Sequence, residues 1–524
     1  MIEISPHQSL KKDTSADVCV VGAGIAGMTT AYLLAREGVS VVVIDDGPIG
    51  GGETGRTTAH LANALDDRYY EMESLHGEKG ARLIAESHTD AIALIESIVA
   101  KEGIDCDFER TDGYLFLRPE DDIELLEREL AATHRAGLTS VKRLERAPGE
   151  VFNTGPCLHF PLQGQFHPLK YLVGLARAIE RDGGRIYSGM HATKVEGGTR
   201  ARVETKQGPV IMAGAAVVAT NSPVNNIVAI HTKQAAYRTY VIGARVPRGS
   251  ITRALYWDTG HPYHYIRLHS VGSAAEKSGS VGHDILIVGG EDHKTGQKDD
   301  AVRRHAALES WARTRFPMIE EIEFRWSGQV METIDGIAFI GRNPVDKSNI
   351  YVITGDSGMG MTHGTIGGIL ITDLVLRRKN SWETLYDPSR ISLRAAAKFA
   401  KENINVAGQY GDWITAGEAS SASEIPPGTG ALVRRGLSKV AVYRDDEGIV
   451  HERSAVCTHL GCIVAWNSEE KSWDCPCHGS RFCTKGEVLN GPAIDDLAPA
   501  PEEEDSGFSI QDSGMPDRQG RGIA

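Results

Sequence analysis

Two short segments near the C-terminus combine cysteine and histidine at spacings that suit metal binding. Each supplies one cysteine and one histidine, namely Cys457 with His459 and Cys475 with His478. Two thiolates can ligate one iron and two imidazoles a second iron, as a two-iron two-sulfur cluster with mixed ligands requires. A zinc ion held by cysteine pairs is the alternative, because Cys462 and Cys477 add two further sulfurs. The spacing and the flanking glycine and proline favour the iron cluster.

A second set of residues, near the N-terminus, could bind the phosphates of a dinucleotide. It follows a short apolar run and opens a helix, and its members are Gly22, Gly24, Ile25, Ala26 and Gly27. The first glycine makes the turn, the second lets the backbone approach pyrophosphate, and the third lets the helix pack on the strand. Asp45 follows 23 residues after Gly22, where a carboxylate can accept hydrogen bonds from a ribose. The pattern predicts a dinucleotide site without deciding between FAD and NAD.

The elements that must hold these residues alternate between strand and helix. Residues 17–46 predict a strand, a helix and a second strand, which is typical of a parallel sheet. Aromatic-rich antiparallel strands and a helix at 301–315 follow, before residues 351–376 return to the first sheet. The predicted fold class is α/β plus all-β. It comprises a Rossmann-like dinucleotide-binding domain (about 15–225 and 325–380) with an inserted antiparallel substrate domain (about 235–322).

Composition predicts a domain boundary further along the chain. One more helix is predicted at residues 391–403, and residues 416–429, rich in Ser, Pro and Gly, are interpreted as a linker. Residues 1–415 would then form one unit, residues 430–512 a C-terminal β-domain, and residues 513–524 a tail.

Charge and cysteine usage restrict the partners and the compartment. A formal charge of −14 opposes binding to nucleic acid or to an anionic membrane surface, since both select clustered lysine and arginine. No stretch approaches the roughly 18 apolar residues of a membrane span, and no signal-peptide pattern opens the chain. Crowding of cysteines into residues 457–483 is unlike a secreted disulfide framework. We therefore expect a cytoplasmic protein without nucleic-acid partners.

Several further segments resemble the FAD-dependent D-amino-acid-oxidase superfamily, and together they cover most of residues 15–380. The matching residues are Arg56, Thr57 and Thr58 in a second glycine-rich stretch, Val195 beside adenine, and Gly355, Gly360, Met361 and Thr362 in a turn at the flavin. That turn and the helix it opens stabilise negative charge on the flavin in the family. The resemblance implies FAD as the cofactor and these residues as its contacts.

The same resemblance bears on the substrate. Residues 326–336 can be laid on a family segment without gaps, but Val330 stands where many amino-acid-oxidising relatives place an arginine for the substrate carboxylate. A simple amino-acid substrate would then need another arginine, for which the candidates are Arg267, Arg325 and Arg238.

Three residues are predicted to be catalytic on the strength of that resemblance. Tyr265 and Arg267 resemble a strand that faces the flavin, although a solvated strand with ordinary aromatic residues is the alternative. His363 either lies near the flavin or caps a helix. Residues 291–294, which could be mistaken for a metal site, are interpreted as a charged surface turn.

Around the two cysteine and histidine segments, residues 430–510 resemble the Rieske domains of respiratory and photosynthetic cytochrome complexes. That resemblance implies a Rieske 2Fe-2S cluster on Cys457, His459, Cys475 and His478, and a disulfide between Cys462 and Cys477. Ser480 matches the serine that donates to a bridging sulfide, whereas Phe482 replaces the tyrosine that donates to a cysteine sulfur in high-potential members. With one donor lost, we expect a potential between the respiratory type and the low-potential dioxygenase type.

The full combination resembles bacterial FAD-dependent oxidoreductases that carry a C-terminal Rieske domain. We expect an enzyme that oxidises a small organic substrate, an amine or related compound, and passes electrons singly through the cluster to an external one-electron acceptor protein. Two alternatives stay open. An external donor protein could send electrons from cluster to flavin in a reductase or monooxygenase, or the chain could be a non-enzymatic redox sensor or electron relay.

Overall fold

The described residues form two large sheets and two small ones. The computed structural model describes residues 6–149, 152–224, 230–271, 282–344 and 346–501. The predicted tail 513–524 and residues 502–512 of the predicted β-domain lie outside these ranges.

The helices are α1 (Ile25–Arg36), α2 (Tyr69–Glu102), α3 (Glu124–Arg135), α4 (Pro168–Arg181), α5 (Ala301–Arg315), α6 (Gly360–Val375), α7 (Glu383–Tyr386) and α8 (Ala396–Gln409). The strands before α6 are β1 (Thr14–Val21), β2 (Val41–Ile44), β3 (His60–Leu61), β4 (Glu109–Phe116), β5 (Lys142–Leu144), β6 (Cys157–Gln165), β7 (Arg185–Tyr187), β8 (Ala192–Glu196), β9 (Ala201–Thr205), β10 (Val210–Val218), β11 (Gln234–Pro247), β12 (Leu255–Asp258), β13 (Tyr265–Ser270), β14 (His283–Lys294), β15 (Ile322–Thr333), β16 (Phe339–Arg342) and β17 (Ile350–Thr354). Those after α8 are β18 (Thr429–Arg435), β19 (Ser438–Arg444), β20 (Val450–Ser454), β21 (Ala465–Asn467), β22 (Ser472–Asp474), β23 (Arg481–Cys483) and β24 (Val488–Asn490).

The first sheet is mainly parallel and contains the predicted strand–helix–strand unit. Its order is β16–β17–β10–β1–β2–β7, and β9 and β8 extend it from β10. The apolar strands are buried on both faces, because Val18 and Val20 join the core under α1 while Cys19 and Val21 join the core on the opposite face. Strands β1, β2 and β10 run parallel, so their carboxyl ends meet at one edge, where a ligand site can form.

The second sheet is mainly antiparallel. Its order is β15–β11–β14–β13–β12–β4–β6–β3, with β5 beside β6. Helix α5 covers one face, where Leu308 packs in a core with Ile242 and Leu286. The predicted substrate range supplies the central strands β11 to β14, whereas β3 to β6 come from earlier in the chain and β15 continues to Thr333. The sheet therefore draws on more of the chain than residues 235–322.

The C-terminal region consists of the sheets β18–β19–β20 and β21–β22–β23–β24 around a core that includes Trp473 and Phe482. The segment interpreted as a linker packs against this region, since Ile425 is buried beside Val440. Helix α8 starts later than the helix predicted at 391–403 and runs further, because Val406 packs on the C-terminal core. No helix in the described part of the chain is long and apolar enough to cross a membrane.

Candidate redox site

A cavity of about 310 Å³ lies where the two large sheets and the C-terminal region meet. Its lining includes the carboxyl ends of β1, β2 and β10, the turn before α6, and residues of β11, β14 and β15. Residues 488–491 and Ala493 of the C-terminal region also contribute to the lining. The cavity is therefore one space shared by three parts of the chain.

The turn between β1 and α1 has the shape that a phosphate requires. Gly22 has a φ of +107°, and a Cβ there would lie 2.4 Å from the carbonyl oxygen of Ala219. A Cβ on Gly27 would lie 1.9 Å from the Gly22 oxygen, so Gly27 permits helix packing and does not itself line the cavity. Gly24 at the N-cap of α1 provides no side-chain cap, and the start of the helix faces the cavity through Gly24, Ile25 and Ala26. Its positive dipole end fits the pyrophosphate of FAD.

Asp45 lines the cavity at the end of β2. Its Oδ2 accepts a hydrogen bond from Ala23 N at 2.6 Å, and its Oδ1 accepts one from Gly47 N at 2.8 Å. Burial and the neighbouring Asp46 raise the pKa of Asp45 to about 7. Each carboxylate oxygen has two acceptor positions, so Asp45 can also accept a ribose hydroxyl.

The second glycine-rich stretch forms the wall beside the start of α1. Thr54 Oγ1 accepts a hydrogen bond from Ile25 N at 3.1 Å, and Thr57 and Thr58 line the cavity. Arg56 lines it too, but its Nη1 lies 2.9 Å from Glu470 of the C-terminal region. The Arg56 guanidinium is thus paired with a carboxylate and joins two regions of the chain.

The turn before α6 forms the wall that the resemblance assigned to the flavin. Gly355, Gly360 and Met361 line the cavity, whereas Thr362 does not, because its hydroxyl bonds to His88 Nδ1 at 2.8 Å. His363 lines the cavity and donates from Nδ1 to the carbonyl of Asp356 at 2.7 Å. Burial lowers the pKa of His363 to about 4, so the ring is neutral with the proton on Nδ1. Its buried Nε2 is then an acceptor.

Aromatic hydroxyls and carboxylates form the wall that faces this turn. Tyr265, a predicted catalytic residue, lines the cavity with its hydroxyl 2.7 Å from Thr239 Oγ1. Tyr263 donates to Asp66 Oδ2 at 2.7 Å. Asp292 also lines the cavity, and its buried Oδ1 makes no hydrogen bond with the described residues. The interpretation of residues 291–294 as a surface turn is therefore wrong, since β14 carries Asp292 into the interior.

Four carboxyl groups of this part of the cavity are shifted toward the neutral form. Burial raises the pKa of Asp66 to about 6 and the pKa of both Asp292 and Asp356 to about 7. Burial, followed by the charge of Asp67, raises the pKa of Glu332 well above its ordinary value. A bound cation would favour the ionised carboxylates and lower these pKa values again.

The arginines considered for a substrate carboxylate lie outside the cavity lining. Arg267 donates from Nε to the backbone oxygen of Thr58, and burial lowers its pKa to about 10. Arg238 is buried against Ser327 Oγ, 2.7 Å away, and Arg325 pairs with Glu309 on an exposed surface. Among the described lining residues, Arg56 is the single arginine or lysine, and it is already paired. Val195, predicted beside adenine, also lies outside the lining, which Met190, His191 and Ala192 supply instead.

The two cysteine and histidine segments form facing loops. The rings of His459 and His478 lie 5.0 Å apart, and Cys457 and Cys475 are both buried. Hydrogen bonding between the two thiols lowers the pKa of Cys457 to about 7 and raises the pKa of Cys475 well above its ordinary value, so the two sulfurs lie in contact with each other. The buried Nδ1 of His478 makes no hydrogen bond with the described residues, as expected of a nitrogen reserved for a metal. This donor set fits a Rieske cluster.

Cys462 and Cys477 are joined by a disulfide between these loops. Their sulfurs lie close to that of Cys475, a grouping that could otherwise suggest a three-cysteine metal site. A disulfide sulfur is not a thiolate, so this grouping offers zinc one thiolate ligand. The geometry therefore favours the iron cluster over the zinc alternative.

The cluster loops pack directly on the cavity wall. Gln329 lines the cavity, and its Nε2 donates to the backbone oxygen of Gly479 at 3.0 Å. Gly479 has a φ of +79°, and a Cβ there would lie 2.3 Å from the Ala236 side chain. His231, which precedes β11, places its ring 4.9 Å from the ring of His459. The second loop can approach this closely because residue 479 is glycine.

The sequence does not predict Gln329, which joins the cavity to the cluster loop, or two acids of the cavity wall, Glu332 and Asp66. Gln329 lies within the segment aligned on the family motif, but the alignment singles out only its neighbour Val330, at the position of the family's arginine. Glu332 lies on the same face of β15 as Val330, so a period-two reading of that strand would have placed an acid in the pocket. Asp66, between two predicted elements, carried no comparable signal.

Two family models match the chain. FAD dependent oxidoreductase (DAO) matches residues 17–374, and Rieske [2Fe-2S] domain matches residues 415–501. The chain is 33% identical over 94% of its length to Bacillus subtilis YhfW, named as a Rieske 2Fe-2S iron-sulfur protein, of which the match covers 95%. It is 28% identical over 71% of its length to the gamma-glutamylputrescine oxidoreductase of Escherichia coli, covering 86% of that protein.

A solved structure shares its fold with most of the chain. Glycine oxidase from Geobacillus kaustophilus superposes with a TM-score of 0.57 at 18% identity, covering 72% of this chain and 99% of that one. The predicted fold class and the predicted cofactors, FAD and a Rieske 2Fe-2S cluster, are confirmed. The chain belongs to the FAD-dependent oxidoreductases of the D-amino-acid-oxidase family and carries a C-terminal Rieske [2Fe-2S] domain.

Proposed function

We propose that this oxidoreductase oxidises a cationic amine that lacks a neighbouring carboxylate. Electrons would then leave singly through the Rieske cluster to an external one-electron acceptor protein. Bound FAD supplies the hydride acceptor for oxidation of a C–N bond to an imine. The residues around it bind and orient the amine, move its proton and connect the cavity to the cluster.

The charge of the cavity wall carries this proposal. Strand β15 presents Val330 and Glu332 on one face, so the position of the family's arginine is apolar and the next residue on that face is an acid. Asp66 and Asp292 face the same space. An ammonium group would pair with these acids, whereas a substrate carboxylate would meet no unpaired arginine or lysine among the described lining residues. The similarity to gamma-glutamylputrescine oxidoreductase, whose name specifies an amine, agrees with this charge pattern.

The cavity also offers a base for the amine. An ammonium must lose a proton before its C–N bond can release hydride, and Asp292 Oδ1 has no competing hydrogen bond in the described chain. Its pKa of about 7, raised by burial, suits an acceptor that works near neutral pH. Tyr265, near Thr239 and Asp292, can hold the amine against the flavin. His363 Nε2, a neutral acceptor, can bind a group on the flavin side.

Close contact between the cavity wall and the cluster loop supports electron transfer within the chain. Gln329 spans from the cavity to Gly479, the residue after the ligand His478. On the other side, His231 packs edge-on against His459 and His478. The histidine side of the cluster therefore faces the oxidoreductase domain, so electrons from the flavin need not pass through solvent.

The decisive test uses two substrates that differ by one carboxylate. Putrescine and ornithine are added to the oxidised protein without oxygen, and flavin absorbance and the resonance of the reduced cluster are followed in time. We expect putrescine, or an N-acylated putrescine, to bleach the flavin first and then to reduce the cluster, with ornithine much slower. Equal or faster reduction by ornithine would refute the amine preference. If no amine reduces the flavin, while a reduced donor protein fills the cluster and then the flavin, the electron flow is the reverse.

A further inference from the structure

A short segment of the Rieske domain lines the dinucleotide cavity. Residues 488–491 and Ala493, which follow the cluster loops in the chain, face the same space as Asp45 and Asp46 at the end of β2. That end of the parallel sheet is where the family's dinucleotide places its ribose. The segment therefore lies opposite the adenosine end of the cavity, away from the flavin turn before α6.

Several contacts hold the segment against the oxidoreductase domain. Asn490 Nδ2 donates to Glu53 Oε1 at 3.0 Å, beside the glycine-rich stretch. Gly491 packs on Ser222, because a Cβ added to Gly491 would lie 3.4 Å from the backbone oxygen of Ser222. Past the segment, His191 bonds to the backbone oxygen of Ile494 at 2.9 Å. Through Glu53, Ser222 and His191, these contacts hold residues 490–494 on the oxidoreductase domain.

The chemistry of the segment suits the edge of an aromatic base. Leu489 lines the cavity, yet 47% of its surface is exposed, which is unusual for a leucine bordering an interior space. A planar base bound between Leu489 and His191 would cover this apolar surface. Gly491 leaves room for such a ligand beside Asn221 and Val224, which line the cavity from the other domain.

We propose that residues 488–493 of the Rieske domain form part of the FAD site and cover the adenosine end of the bound cofactor. The two domains would then share one cofactor, and docking of the Rieske domain would slow FAD release. The segment is also tied to the cluster, because Ala493 N donates to Ser480 Oγ at 3.0 Å. This inference concerns FAD binding alone and does not depend on the identity of the substrate.

The test measures FAD affinity in the full-length protein without substrate. FAD-free protein is titrated with FAD and the dissociation constant is read from flavin fluorescence, while the visible absorbance of the cluster reports that the Rieske domain is intact. Leu489→Ala removes apolar contact, and Leu489→Glu puts a charged group where the proposal requires apolar contact with the base. We expect the dissociation constant to rise roughly three- to tenfold for Leu489→Ala and more than about tenfold for Leu489→Glu.

Leu437→Glu is the matched control, because Leu437 is a leucine of the same domain that is 88% exposed and does not line the cavity. Its FAD dissociation constant should equal that of the unmodified protein. The inference is overturned if Leu489→Ala and Leu489→Glu bind FAD as tightly as this control while the cluster absorbance is intact. If Leu489→Glu loses the cluster, the test uses Leu489→Ala and Asn490→Ala instead. An unchanged FAD dissociation constant in both variants overturns the inference equally.

Discussion

The cluster loops and the dinucleotide cavity differ in how far apart along the chain their residues lie. The residues predicted to ligate the cluster fall between Cys457 and His478, and one disulfide and a few backbone hydrogen bonds hold their loops together. The cavity takes residues from Val21 to Ala493, on strands of both large sheets and on the Rieske domain. A local site can lose one ligand and fail completely, whereas a dispersed site should lose function in steps.

The largest effect is expected at a cluster ligand. His478→Ala removes one of four donors, and the remaining three cannot hold the mixed-ligand iron pair, so the resonance of the reduced cluster should be lost completely. Electron paramagnetic resonance of the dithionite-reduced protein measures this. Flavin content should stay near that of the unmodified protein, because His478 does not line the cavity. Cys483→Ser is the control, since Cys483 follows the second loop without belonging to the donor set. A normal resonance in His478→Ala would contradict the ligand assignment.

The same contrast explains what could be predicted from the sequence. The predicted cluster ligands, and Gly22 with Asp45, can be recognised from their spacing within short segments. Over such short distances the chain allows few other positions for these side chains. The pairing of Arg56 with Glu470 joins residues more than 400 positions apart, and nothing near Arg56 signals it. The sequence therefore predicts Arg56 as a cofactor contact only. It likewise makes Arg238 a candidate for substrate binding, although the structure buries Arg238 against Ser327.

Residues on the antiparallel sheet are hardest to predict, because their roles depend both on which face meets the cavity and on their position along the strand. Tyr265 and Arg267 share one face of β13, yet Tyr265 lines the cavity while Arg267 reaches the backbone of Thr58. Asp292 looked like a surface residue within a charged run. Asp292 lies where the register between β11 and β14 shifts, between the pairs Arg238–His293 and Tyr240–Gly290, so regular alternation along the strand does not give its direction.

The next largest effect is expected in the cavity, at a carboxylate that is proposed to bind the substrate. Asp292→Asn keeps the shape of the side chain but removes its charge and its ability to accept a proton. Loss of one partner of a buried charge pair costs about 2–4 kcal/mol, so kcat/KM for an amine should fall roughly 30-fold or more. Steady-state kinetics with the best amine of the substrate screen measures this. Glu320→Gln, at an exposed acid outside the cavity, should leave kcat/KM unchanged.

The pH profile separates loss of charge from loss of fold in this variant. Burial raises the pKa of Asp292 to about 7, so protonation below pH 7 removes the negative charge that the ammonium needs. In the unmodified protein, kcat/KM should fall as the pH is lowered through 7. Asp292→Asn should flatten that part of the profile. An unchanged fall in the variant would assign the titration to another group and contradict the role given to Asp292.

A smaller effect is expected where the two sites touch. Gln329→Leu removes the hydrogen bond to Gly479 without adding charge, and it leaves the cluster donors and the flavin turn in place. Flavin reduction by substrate should keep its rate. Because this contact joins the cavity wall to the cluster loop, reduction of the cluster from the flavin should slow roughly tenfold, which corresponds to about 1.4 kcal/mol on the barrier. Stopped-flow absorbance follows both steps in one experiment.

Gln297→Leu is the control for this contact. Gln297 also donates to the second cluster loop, at the backbone oxygen of Pro476, but it does not line the cavity. If both variants slow cluster reduction equally, the effect comes from looser docking of the Rieske domain. If Gln329→Leu has no effect on either step, the path between the sites does not use Gln329.

The smallest effect is expected inside the cluster region itself. Phe482 is fully buried in the core that contains Cys457 and Cys475, where the Rieske proteins of high potential have a tyrosine that donates to a cysteine sulfur. Phe482→Tyr should restore this donor and stabilise the reduced cluster, because a hydrogen bond offsets negative charge on sulfur. One such bond is equivalent to roughly 40–60 mV, and a redox titration followed by circular dichroism or resonance intensity measures it. Tyr443→Phe, which removes a hydroxyl elsewhere in the same core, should leave the potential unchanged. A potential that does not rise in Phe482→Tyr would show that residue 482 does not tune the cluster, and the expected intermediate potential would lose its structural basis.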